Sequence, residues 1–279
     1  SSAALGVAFA KALLKRNNIQ ISKKLLIQLT GESELFLGFH AGQGDHAAII
    51  SAKKGLVSTI GFFPITIANK IQFPKELNIV IAYSGTPAKK ASKIKDNYNE
   101  RVACYKIAFK YLRKTWELAV PAKYIRDLTP KRLHVSCKEI LIALSNLPAA
   151  PTRNDINTFF NTEDRLFLED IYQTHEDPGK YDLIGTILFG ISECTRSESF
   201  NQILQSGDLE QIRTIIAASH NGDRLGSHNS NSIFDLIKDK IPLTHISGKW
   251  GFSTEDIDQM VDISNSIPGT VGAQLAGAG

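Results

Sequence analysis

The chain has 279 residues, 43% of them apolar, and a formal net charge of +4. That apolar content is enough for one large core or two smaller ones. No apolar run approaches the roughly 18–20 residues needed to cross a bilayer, the first stretch lacks the basic lead of a signal peptide, and the scattered lysines do not form the dense basic stripe of a nucleic-acid binder.

Taken in chain order, residues 3–16 read as a helix opened by Ser1 or Ser2, and 21–38 as a second helix weakened at Thr30-Gly31. "HAGQGDHAAI" then breaks the pattern. "GLVSTIGFF" and "ELNIVIAYS" read as strands, being β-branched and bounded by glycine, lysine and proline. Val102, Tyr105, Phe109, Leu112 and Trp116 step by three and four, one face of a long helix. Residues 119–200 are less regular, and "THEDPGKYD" is a loop on turn chemistry alone. An amphipathic helix follows over 201–220, with Leu209, Ile212, Ile215 and Ile216 on one side. Ser253 and Asp256 form a capping box that starts a helix with Ile257, Met260, Val261 and Ser264. A domain boundary falls near 118–130 or near 195. Cys104, Cys137 and Cys194 are sparse and far apart, which argues against a disulfide framework or a zinc site and fits a reducing cytoplasm.

Three stretches can carry chemistry. "SSAALG" places serines on the first turn of a helix, where free N–H groups and the dipole favour phosphate and a hydroxyl can ligate Mg²⁺; the same serines also suit plain capping. In "GESELFLGFHAGQGDHAAII", Asp45 sits between Gly44 and His46 in a tight glycine-flanked turn. A carboxylate held there can act as a general base, or simply stabilise the turn. Glu32 and Glu34 end the preceding helix and can reach a metal or lie on the surface, while His40 and His46 lack a third metal ligand. "GTVGAQLAGAG" lets backbone approach a ligand or another backbone closely.

Their order along the chain resembles the GHMP kinase superfamily, and within it the galactokinase-like branch. Ser1-Ser2-Ala3-Ala4 is similar to the end of the family's Gly-Leu-Gly-Ser-Ser-Ala-Ala phosphate loop, and Gly272-Ala273-Gln274-Leu275-Ala276-Gly277-Ala278-Gly279 to its last glycine motif. Tyr98, Asn99 and Arg101 match a Tyr-Asn-x-Arg helix, "YIRDLT" resembles a Leu-Arg-Asp-Val-Thr segment, and Ser219-His220 resembles the end of a further family helix. The resemblance covers most of 1–118 and 195–279.

The resemblance implies an incomplete α+β, two-domain GHMP kinase fold. Residues 1–125 would be part of an N-terminal, ribosomal protein S5 domain 2-like domain that binds ATP and sugar; 126–195 a connecting region; and 196–279 part of a ferredoxin-like C-terminal domain. The implied reaction is transfer of the γ-phosphate of ATP to the anomeric (C1) hydroxyl of galactose or a related sugar, with ATP and Mg²⁺ as cofactors. Asp45 would be the catalytic base, with Gly44 and Tyr98 beside it on the sugar. Ser1, Ser2, Ala3, Gly277 and Gly279 would shape the nucleotide site, and Ser2, Glu34 and Glu32 would approach the metal. The expected partners are sugar and ATP, with no nucleic acid or membrane, in a cytoplasmic monomer or weak oligomer. Four departures from the family pattern bear on specificity: Gly44 for Met or Ile, His46 for Gln or Asn, Ala276 for Thr, and the run Asn221-Gly222-Asp223-Arg224. They leave arabinose, a uronic acid, or a non-catalytic sugar and ATP sensor as alternatives. A chain cut at both ends is expected to be poorly stable, prone to aggregate and inactive by itself.

Overall fold

The computed structural model describes residues 2–37, 42–62, 64–85, 92–160, 162–225 and 232–276. They fall into two compact units, Ser1–Ile79 with Leu204–Gly207, and Val80–Ile203 with Asp208–Gly279.

The first unit is built from α1 (Ser2–Arg16), α2 (Lys23–Glu32), α3 (Gly44–Ser51) and a hairpin of β1 (Leu56–Gly61) and β2 (Thr66–Gln72). Alanine, leucine and lysine favour helix in α1, and Lys15 and Arg16 complement the dipole at its end. Ala3 and Val7 turn inward, and Val7 packs with Leu26, Ile27, Ala47 and Ile50 into a small core. Ser22 caps α2 by accepting the Leu25 N–H at 3.1 Å. The weakness expected at Thr30-Gly31 does not break this helix: Thr30 Oγ1 donates to the Leu26 carbonyl at 2.7 Å, and the chain tightens into a 3₁₀ turn only at Ser33–Leu37.

The strands pair antiparallel, with Leu56 opposite Gln72 and Gly61 opposite Thr66. A bulge between Ser58 and Thr59 leaves Asn69 as an extra residue. Lys70 Nζ reaches the Ser51 carbonyl at 3.4 Å and so caps the end of α3. β2 carries no clean strand signal in the sequence, and the strand expected at "ELNIVIAYS" does not form among the described residues. Residues 76–84 form no strand among the described residues, and Ile79, Val80, Ile81 and Tyr83 are exposed. Their β-branched character meets only half of what a strand requires, the other half being a neighbour's backbone to pair with.

The second unit is helical. α4 (Ser92–Thr115) is followed by α5 (Pro130–Leu133), α6 (Cys137–Ser145), α7 (Arg153–Phe159), α8 (Arg165–Tyr172), α9 (Leu183–Ser206), α10 (Leu209–Asp223), α11 (Ile233–Lys238) and α12 (Glu255–Ser266). The core joins Cys104, Ile107, Ala108 and Leu112 of α4 to Ile140, Leu141 and Leu144 of α6 and to Leu183, Ile187 and Ile191 of α9. The inward stripe of α4 thus alternates small residues with Ile107 and Leu112, while Tyr105 and Phe109 pack along its flank.

The irregular stretch expected over 119–200 is instead a run of short helices and one long one. Ser136 with Glu139, and Thr152 with Asp155, close capping boxes that let short segments hold. Their hydrogen bonds hold the Glu139 and Asp155 carboxyls below the usual range. Buried Tyr181 receives a hydrogen bond from Arg153 Nε at 3.0 Å and shares another with His175 Nε2 at 2.8 Å. The single helix expected over 201–220 is two: Gly207 takes φ +72° and Asp208 caps α10 by accepting the Gln211 N–H. The cap expected at Ser253 lies one residue on, where Thr254 accepts the Ile257 N–H at 3.3 Å. The described residues thus mix many helices with one hairpin, an α+β composition.

Candidate functional site

In the first unit, α1, α2 and α3 pack against one another. Ser2 opens α1 and Ala3 is buried just behind it, while Ser1, Gly277, Gly279 and His40 lie outside the described residues. The first turn of α1 holds no acidic residue, so the positive end of its dipole is not neutralised within the helix. That fits a phosphate group.

The end of α2 and the start of α3 are locked together. A Cβ on Gly31 would stand 2.4 Å from Gln43 Cγ, so only glycine allows this approach. Beyond it, buried His46 places Nε2 3.8 Å from Glu34 Oε1. These contacts bring the Glu32–Glu34 turn alongside Asp45. Asp45 is not on a free glycine turn, as its flanking residues suggested; it lies exposed in the first turn of α3. A Cβ on Gly44 would meet the Phe62 ring at 3.0 Å, which accounts for glycine at that position.

Glu32 accepts a hydrogen bond from Gln28 Nε2 at 2.8 Å, and Glu34 is mostly buried. Among the described residues no group of three or more His, Cys, Asp or Glu is arranged to hold a metal. The donors present fit a Mg²⁺ that draws most of its ligands from water and phosphate, with one or two protein carboxylates.

In the second unit, Tyr98 joins an aromatic cluster. Its ring lies edge-on to Trp250 at 5.8 Å and to Phe252 at 5.7 Å, while Tyr105 and Phe189 stack on Trp250 at 5.1 and 5.7 Å. The neighbours of Tyr98 fix this cluster. Asn99 Nδ2 donates to the Thr174 carbonyl at 2.9 Å, and Arg101 Nε donates to the Trp250 carbonyl at 3.0 Å. Tyr98, Asn99 and Arg101 therefore tie α4 to two loops distant in sequence. Trp250 was not singled out in the sequence; the flanking Gly248 and Gly251, at φ +65° and +76°, are the local signal for it.

The glycine segment after α12 lies along α10. Arg213 Nη2 donates to the Thr270 carbonyl at 3.2 Å, and a Cβ on Gly272 would press on Ile216 at 3.1 Å. The Leu275 N–H donates to His220 Nδ1 at 3.3 Å. His220 therefore carries its proton on Nε2, 3.3 Å from Asp258 Oδ1 but at an angle short of a hydrogen bond. Burial and then Arg224 push the His220 pKa down, so the neutral ring is favoured.

The departing run Asn221-Gly222-Asp223-Arg224 has a structural use. Arg224 pairs with Asp262 of α12, and Gly222 offers its carbonyl to the N–H groups of Trp250 and Gly251 at 2.7 and 3.0 Å. Burial, reinforced by Glu193 and opposed by Arg196, pushes the Asp223 carboxyl up to about 7. Native Asp223 thus keeps a proton that the unfolded chain, with an ordinary value of 3.8, gives up. Stability is therefore lost as pH rises from about 4 towards 7. Asp223→Asn is expected to remove that decline, so its stability should exceed wild type most at pH 7 and above. Chemical denaturation of both proteins between pH 4 and 8 checks this; parallel profiles would contradict it.

No helix among the described residues is long and apolar enough to cross a membrane. No family model matches the chain. It is similar to galactokinases over part of its length. It is 32% identical to the galactokinase of Schizosaccharomyces pombe over 126 residues, 43% of this chain and 24% of that protein. It is 32% identical to that of Candida parapsilosis over 149 residues, 53% and 26% of the two chains. For that of Dictyostelium discoideum the figure is 31% over 108 residues, 39% and 22%. The chain thus spans about a quarter of the length of the curated relatives it matches.

Proposed function

We propose that this chain is part of a galactokinase-like sugar kinase of the GHMP superfamily, transferring the γ-phosphoryl group of ATP to the anomeric hydroxyl of galactose or a related sugar. The observation that carries the reading is similarity at 31–32% identity to galactokinases of two yeasts and a slime mould, together with several family-like motifs in family order. The two-domain organisation, with S5-like and ferredoxin-like parts, belongs to the same proposal.

Bound ATP supplies the phosphoryl group, and Mg²⁺ neutralises its oxygens. The protein's part is positioning and charge. The start of α1, with Ser2, holds phosphate by its N–H groups. Glu34, with Glu32 beside it, offers the metal a carboxylate. Asp45 accepts the proton of the sugar hydroxyl as that oxygen bonds to phosphorus and the bond to ADP breaks. The family resemblance would put Tyr98 on the sugar and the last glycine motif near the nucleotide. Gly44 and His46 stand beside Asp45 and depart from the family pattern, which leaves arabinose or a uronic acid as the second reading for the acceptor. Unpaired polar groups in a pocket discriminate strongly between sugars.

ADP release by the full-length protein with Mg-ATP and galactose, arabinose, glucuronic acid, galacturonic acid or no sugar tests the proposal. Release that depends on one sugar supports it and names the acceptor. Tight binding of sugar or ATP without release would replace it with a sensor.

A further inference from the structure

α4 carries a basic face that phosphoryl transfer does not use. Lys106, Lys110, Arg113 and Lys114 stand at i, i+4, i+7 and i+8, so they line one side of the helix. With Phe109 and Phe167 they line an open surface groove of about 510 Å³. Like charges spaced four apart on a helix oppose folding, and Asp164 relieves part of this: it pairs with Lys110 at 2.6 Å and with Lys114. The hydrogen bonds from Lys110 and Lys114 hold its carboxyl below the usual range.

Several of the lining side chains have partners. Lys110 Nζ sits 4.0 Å from the centre of the Phe167 ring, Arg113 Nε donates to the Val120 carbonyl at 3.2 Å, and Phe109 and Phe167 pack on the main core. Lys106 and Arg113 make no ion pair with an acidic side chain among the described residues, so their charges face outward unneutralised. Among the described residues one carboxylate, Asp164, thus pairs within this set of four cations, in a groove whose volume is of the size small ligands fill.

We infer that this groove binds a small polyphosphate anion such as a nucleotide, with Lys106 and Arg113 on its phosphates and Phe109 along its apolar part. Charge selects the anion, while the size and the aromatic wall suit a compact ligand better than an extended acidic chain. The inference stands independently of the kinase reading.

The test uses the full-length protein, a fluorescent ATP analogue at low salt, and inorganic tripolyphosphate as competitor. Lys106 and Arg113 are exposed, so Lys106→Glu/Arg113→Glu should fold normally, and Lys106→Gln/Arg113→Gln guards against an effect of reversed charge alone. The expected result is loss of one nucleotide-binding event per chain, or weakening by at least about tenfold, in both variants. Tripolyphosphate should compete in wild type, and the melting temperature and any sugar-dependent ADP release should stay unchanged. Binding should also weaken with added salt. Identical isotherms for wild type and variants, no uptake by wild type, or competition by poly-glutamate but not by tripolyphosphate would overturn the inference. If ADP release fails while the groove variants still lose binding, the groove stands and only the kinase reading falls.

Discussion

Replacing Asp45 with Asn should lower sugar-dependent ADP release of the full-length protein by about 10²–10⁴-fold, the usual contribution of a positioned general base. The amide keeps the shape of the side chain but cannot take the hydroxyl proton. The fold should barely notice. Asp45 is exposed in the first turn of α3, and removing a charge from a helix start costs about 0.3–1 kcal/mol. His46 and Glu34 keep their contact without it. A melting temperature within a few degrees of wild type, with sugar affinity retained and turnover lost, is therefore the expected pattern. Near-normal turnover would remove Asp45 from the base role. A fall in stability matching the fall in turnover would make it a helix cap instead.

Gly248→Ala should be the most damaging single methyl addition in the second unit. Gly248 has φ +65°, in the left-handed region that favours glycine, and an added Cβ would stand 2.2 Å from the Phe189 amide nitrogen and 2.5 Å from its Cα. Both obstacles are backbone, so no side-chain rotation relieves them. The conformational cost of about 1 kcal/mol adds to overpacking of about 1–3 kcal/mol. The sum is about 2–4 kcal/mol, a large share of the 5–15 kcal/mol that holds a typical domain. Chemical denaturation of the variant checks this. Gly207→Ala is the control. Its φ is +72° but no atom lies within 4 Å of the added Cβ, so it should lose only the conformational part.

The sequence made α1, α2, β1, α4 and α12 readable because each shows one clean signal: a serine or threonine start, β-branched residues beside a glycine, or apolar residues three and four apart. β2 was hidden because Asn69, the extra residue at the bulge, stands between Ile67 and Ile71 where the alternation calls for an apolar residue. The first half of α9 was hidden for the opposite reason. Leu183, Ile187, Leu188 and Ile191 are buried, and so are Thr186 and Ser192, so the helix shows no polar face for periodicity to detect. In the candidate site, residue types and their order pointed to Asp45, Glu34 and Tyr98, but not to their settings. That Asp45 opens a helix depends on Gln43 filling the space beside Gly31. That Tyr98 sits among aromatic rings depends on Trp250, 152 positions further along the chain.

The hydrogen bond from the Leu275 N–H to His220 Nδ1 has a consequence for how the end of the chain responds to acid. A ring nitrogen that accepts a peptide proton cannot also hold one of its own. The Leu275 hydrogen bond and uptake of a second proton by the imidazole are thus mutually exclusive. Desolvation and Arg224 resist that uptake, while Asp258 and Asp262 promote it. The tether is therefore a latch whose release is set by burial first, and then by the balance between the Arg224 guanidinium and the Asp258 and Asp262 carboxylates. It is favoured at neutral pH, and with the His220 pKa pushed down it resists acid further than an exposed histidine would.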